Sequence, residues 1–282
     1  MNEYALGVSE FTTWPWTFER DVDAYRRHGF SAIEITEAKL DRARLTEQFD
    51  VLRASGLQVA SVQAQIHGIF ATKLQPEPSD PPDRIAHFRE SIETLAPHLP
   101  QGTPFVAITG APPNGDIECV HETVVHGLRK LSKHAAAHGM RIALEPLNPS
   151  LMNVDGALWS LDDALAIVDD VGEPNCGVCV DTWNIWQNRD LETTLRRAGE
   201  RIFLVQVSDY RRPHALYDRL IPGDGEIPLP QILQTLREGG YSRPYVIEIF
   251  SSESLGDSLW KRDLDDVLDA IARGFRAAWE RA

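Results

Sequence analysis

Residues 202–209 read Ile-Phe-Leu-Val-Gln-Val-Ser-Asp. The run Ile202 to Val205 is β-prone and apolar enough to be a buried strand, yet it continues into Gln206 between two valines and ends on Ser208 and Asp209. A polar side chain on a buried strand is costly unless something binds it. The strand therefore predicts a fold whose core strands end on chemically active groups.

Similar runs occur at residues 4–8, 32–35, 59–62, 105–108, 142–145, 177–181 and 245–249, which makes eight candidate strands in all. Between them lie amphipathic stretches with helical spacing, at residues 117–138, Leu161–Val171 and Leu229–Glu238. Ser160 precedes Leu161 as a start signal, and Gly139 follows His138 as a stop. Strands recurring about every 34 residues and alternating with helices describe parallel βα units. Eight of them close into a single (β/α)8 TIM barrel, an α/β fold here spanning residues 1–282 as one domain. The longest interruption is 71–83, where Gln75-Pro-Glu-Pro-Ser-Asp-Pro-Pro82 is expected to forbid regular structure. It follows the third strand, so it belongs to the active-site face and could act as a lid.

In such a barrel the chemistry gathers at the C-terminal strand ends. Four of these carry side chains able to hold a metal: Glu145, Asp181, Gln206 and Glu248 on the fifth to eighth strands. One buried carboxylate can be satisfied locally. Three converging on one rim call for a cation.

Composition narrows the function further. Asp and Glu number 42 against 28 Lys and Arg, a formal charge of −14, with no basic run to offset it. Nucleic acid and anionic membranes are therefore not expected partners. No segment is apolar enough to span a bilayer, and the start of the chain lacks a basic region followed by an apolar run. Cys119, Cys176 and Cys179 read as structural thiols of a reducing cytoplasm.

Five segments carry a specific resemblance: Glu145-Pro-Leu-Asn148, Val180-Asp-Thr-Trp-Asn184, Val205-Gln-Val-Ser-Asp209, Arg219-Leu-Ile-Pro-Gly-Asp-Gly225, and Gly240-Tyr241 followed by Ile247-Glu-Ile249. Together they resemble the sugar phosphate isomerase/epimerase family of xylose-isomerase-like barrels, which includes D-tagatose 3-epimerase, inosose-processing enzymes and 3-dehydroshikimate dehydratases. The resemblance implies that Glu145, Asp181, Gln206 and Glu248 hold a divalent cation and that Arg219 contacts substrate. Two positions depart from the family pattern. Gln206 stands where a histidine is usual, and Asn184 stands where a histidine follows the aspartate by three residues. With an amide oxygen beside three carboxylates, the all-oxygen shell favours Mn2+ or Mg2+ over Zn2+, with Co2+ also admissible.

The implied reaction is metal-dependent enolisation of a small-molecule keto-sugar or related polyol, with Glu145 or Glu248 as the base, giving an isomerase or epimerase. Two alternatives share the scaffold. One is a lyase in which the enolate expels a β-substituent, as in a dehydratase or in cleavage of a 3-keto glycoside; the other is a noncatalytic sugar-binding module. The departures at Gln206 and Asn184 lean toward the lyase. His67 is a candidate acid or substrate donor, and Asn184 keeps a hydrogen-bonding tip toward substrate. Trp14, with Trp16, Trp183 and Trp186, offers an apolar wall for a sugar ring. The substrate and oligomeric state stay open, a homo-oligomer being compatible with the family.

Overall fold

The computed structural model describes residues 4–212 and 217–282. Eight parallel strands close in sequence order into a barrel. They are β1 Leu6–Ser9, β2 Ala32–Thr36, β3 Gln58–Gln63, β4 Pro104–Ala107, β5 Arg141–Leu144, β6 Cys176–Asp181, β7 Ile202–Val207 and β8 Tyr245–Ile247. The α-helices are α1 Phe18–Arg27, α2 Leu45–Ser55, α3 Pro81–Leu95, α4 Ile117–Ala137, α5 Leu161–Val171, α6 Thr182–Ile185, α7 Leu191–Ala198, α8 Leu229–Glu238 and α9 Leu264–Trp279. No helix among the described residues is long and apolar enough to cross a membrane.

Period-two alternation along the strands sets the site. Ala32, Ala60, Val106, Ala143, Cys179, Leu204 and Val246, one from each of β2 to β8, join Phe203 in an apolar cluster separate from the larger core between strands and helices. A Cβ on Gly7 would come within 2.8 Å of that of Ala32, so β1 meets this layer with a glycine. Two residues beyond an inward residue, a strand points inward again, one layer higher. Ala32 leads to Glu34, Ala143 to Glu145, Cys179 to Asp181, Leu204 to Gln206, and Val246 to Glu248. The register of β6 on β7 keeps the two layers level, pairing Cys179 with Leu204 and Asp181 with Gln206.

One expectation needs correction. The proline-rich segment does not stay irregular through residue 83, because Pro81 and Pro82 form the first turn of α3. Proline lacks an N–H, but the first helical turn has no use for one, so the residue type that breaks a helix interior also starts one. The preceding loop is pinned by buried Arg84, which donates to the carbonyls of Gly68 at 2.8 Å, Gln75 at 2.9 Å and Pro78 at 3.0 Å.

Candidate metal centre at the barrel mouth

The layer above the apolar plug is a nest of acids. Glu145, Asp181 and Glu248 each offer a carboxylate oxygen, and these oxygens lie within 4.8 Å of one another. All three residues are buried, as is Glu34 beside them. Among the described residues, one cation stands against these four carboxylates: Arg219, whose Nη1 lies 2.7 Å from Asp181 Oδ2 and 2.7 Å from Glu248 Oε2. The guanidinium is held between two aromatic rings, Trp183 at 5.1 Å and Phe250 at 5.0 Å.

That imbalance shows in the protonation equilibria. Burial, then the like charge of Asp181, push Glu145 well above the ordinary carboxylate range, while Arg219 opposes the shift. Glu248 is raised well above its usual value by burial, with Arg219 again opposing and Glu34 reinforcing. Asp181 is raised by burial and partly restored by Arg219. A group whose pKa rises on folding supports the fold below its unfolded value and withdraws that support as pH climbs through the folded value. The metal-free protein is therefore expected to lose stability as pH rises above about 4.5, the ordinary glutamate value, and Glu145→Gln should flatten that slope. Urea midpoints of parent and variant across the range read the difference. Parallel curves would sink this account.

Asn184 does not face outward. Its Nδ2 donates to Glu145 Oε1 at 2.7 Å and to Asp181 Oδ2 at 3.0 Å, bridging the two acids. Its Oδ1 accepts from the backbone N–H of Asn148 at 2.9 Å, which fixes the amide's orientation. Asn148 in turn donates to the Trp183 carbonyl at 2.9 Å, so the Glu-Pro-Leu-Asn turn and α6 are tied together over the site.

Gln206 sits at the junction of Glu34 and Glu248. Its Nε2 donates to Glu34 at 3.0 and 3.1 Å and to Glu248 Oε1 at 2.9 Å. Its Oε1 accepts from the Cys179 thiol, 3.0 Å away in the plug. An amide next to two carboxylates presents its N–H groups to them.

Glu34 escaped the sequence reading. It is fully buried, accepts from Ser61 Oγ at 2.5 Å, and shares Gln63 Nε2 with Glu248. The signal was present: an acid inside the β-prone run at residues 32–35, the same anomaly that marks Gln206.

Other candidates fall around the rim. His67 Nδ1 lies 2.8 Å from the Ala64 carbonyl and 3.3 Å from Gln75 Nε2, so its ring belongs to the loop after β3, and burial holds its pKa below the ordinary value. Trp14, 40% exposed, stacks on Phe11 at 5.7 Å, and Phe11 meets Phe250 at 4.4 Å. This aromatic line runs from solvent to Arg219. Lys39 braces its base by pairing with Asp21 and donating to the Thr13 carbonyl at 3.1 Å. Opposite, Asp209 staples the segment after Arg219: its carboxylate accepts from the N–H groups of Gly223 at 2.8 Å, Gly225 at 3.1 Å and Ile227 at 3.0 Å. A Cβ on Gly225 would lie 2.5 Å from Asp209 Oδ1, so glycine is required there.

A closed barrel with this acid cluster at its C-terminal end is matched by the family model of the xylose isomerase-like TIM barrel over residues 22–273. The chain belongs to that family. Within it, D-psicose 3-epimerase of Enterocloster bolteae is 24% identical over 280 residues, covering 93% of this chain and 89% of the relative. An inosose isomerase of Halalkalibacterium halodurans is 29% identical over 139 residues, covering 48% of each chain. Among solved structures, a protein of Sinorhizobium meliloti 1021 superimposes with a TM-score of 0.85 at 26% identity, over 97% of this chain and 98% of that one. The zinc-bound IolI protein shares the fold at a TM-score of 0.81 and 21% identity, over 97% of both chains.

Proposed function

We propose that this family member is a divalent-metal-dependent isomerase or epimerase of a keto-sugar or a related cyclic polyol ketone. The observation that carries the reading is the set of three carboxylates within 4.8 Å at the barrel mouth, with Arg219 beside them and a surplus of buried negative charge. The relatives of this chain that act on psicose and inosose support the same class.

The residues fit a divalent ion. Glu145, Asp181 and Glu248 would hold it, with Gln206 as a fourth donor if its amide presents Oε1 in place of Nε2. The donors are then all oxygen, which favours Mn2+ or Mg2+ and admits Co2+. When bound, a divalent cation there would supply Lewis-acid polarisation of a substrate carbonyl. The protein's own groups do the rest. Glu145 and Glu248, which face the same space, take a proton from the carbon beside the carbonyl and return it. Return to the same carbon epimerises; return to its neighbour isomerises. Arg219, fixed between Trp183 and Phe250, binds a substrate oxygen, and Trp14 with Phe11 covers the apolar face of the sugar. Asn184 keeps Glu145 and Asp181 in place.

Ketohexoses and inososes incubated with the protein and Mn2+ in D2O are expected to gain deuterium beside the carbonyl. An unsaturated product or a released leaving group without exchange would replace this reading with a lyase. Sugar binding with neither outcome would replace it with a binding module.

Gln206 is tested by metal titration. Gln206→His should keep a donor and shift preference toward Zn2+ or Co2+. Gln206→Leu should weaken Mn2+ binding by about 10- to 100-fold. Unchanged Mn2+ affinity in Gln206→Leu would leave Gln206 as a bridge between Glu34 and Glu248 and nothing more.

A further inference from the structure

On the outer wall of the barrel, α3 and the end of α4 bring Glu93, His134 and His138 together, with one donor atom from each lying within 4.8 Å of the others. His134 and His138 are four residues apart, so they rise from one face of α4, His138 serving as its C-cap. Their ring centroids are 4.8 Å apart. His134 Nε2 lies 3.1 Å from Glu93 Oε1, yet it is shut off from solvent and satisfied by no aligned hydrogen bond. His134 Nε2 and the Glu93 carboxylate are thus close without being committed to each other, while the Arg89 backbone also approaches the His134 ring.

From this we infer that Glu93, His134 and His138 form a second metal site, distinct from the barrel mouth and selective for borderline transition metals such as Zn2+. Two imidazoles and a carboxylate make an N2O set that Mg2+ and Mn2+ bind poorly and that Zn2+, Ni2+ and Cu2+ bind well. Ligands at about 2.0–2.2 Å from a tetrahedral ion sit about 3.3–3.6 Å from one another, so the group has to close by up to about 1.4 Å. Glu93, with 51% of its side chain exposed, has the freedom to do this, and solvent completes the fourth position. Bound metal would clip α3 to the C-terminal end of α4, two helices that already pack against each other.

The test counts ions. Protein equilibrated with Mn2+ and then with micromolar Zn2+, after gel filtration, should carry one more metal ion per chain in the parent than in His138→Ala. This difference survives any exchange of Zn2+ for Mn2+ at the mouth, because all ions are summed. It also stands whether or not the mouth binds metal, since Glu248→Gln should lower the count at the mouth and leave the difference intact. Zn2+ should raise the thermal midpoint of the parent and not of His138→Ala, and Glu93→Gln, a substitution at an exposed position, should weaken the extra site about 10- to 100-fold. Equal counts in parent and His138→Ala, or equal Zn2+-induced shifts, overturn the site.

Discussion

Glu248→Gln and Glu145→Gln are each expected to lower turnover by about 10²–10⁴-fold, the range for loss of a positioned general acid or base, while the barrel stays folded. Each substitution removes a donor charge and a proton acceptor with almost no change in shape. The fold should tolerate it because the removed charge is one of four buried acids that, among the described residues, face a single guanidinium. Elemental analysis should show metal content falling together with activity, and melting without metal should show no loss of stability for Glu145→Gln. Full turnover in either variant would remove the proposed site.

Arg219→Met should have the largest effect on the metal-free protein. Arg219 contacts Asp181 and Glu248 at 2.7 Å and is itself buried, so its loss leaves like charges without their counterion. Breaking a buried pair from one side costs about 3–5 kcal/mol. Saturating Mn2+ should recover much of that loss, since it supplies the missing positive charge to the same oxygens. Urea melts with and without Mn2+ read both quantities. A variant as stable as the parent without metal would mean that the acids are held neutral and that Arg219 plays no part in their balance.

The fold was legible from the sequence because a parallel barrel writes itself as repeated units. Each buried strand is an apolar run, and the strand from residue 202 onward needed only local pattern to be found. The polar residues that β5 to β8 bring to the barrel mouth were legible for a related reason: a polar residue terminating such a run has few structural excuses. Glu34 shows the limit. It sits within its strand's run, and its role depends on Ser61, Gln63 and Gln206, contacts set by the stagger of β2 on β3, where the register shifts between Ile33 and Glu34. Asn184 illustrates a second limit. Its side chain could have faced substrate or protein, and the backbone N–H of Asn148 decides for protein. Asp209 reads in the sequence only as the end of a strand, because its grip on Gly223 and Gly225 arises only after the intervening chain folds back.

The two stacked layers of the barrel also make this protein a convenient frame for redesign. Ala32, Ala143, Cys179, Leu204 and Val246 form the apolar layer, while Glu34, Glu145, Asp181, Gln206 and Glu248, each two residues further on, form the buried polar one. A combinatorial library confined to the upper five positions would vary donor type and charge over an unaltered foundation. Clones from it would keep the apolar layer, and those that preserve the charge balance around Arg219 would be the ones to fold.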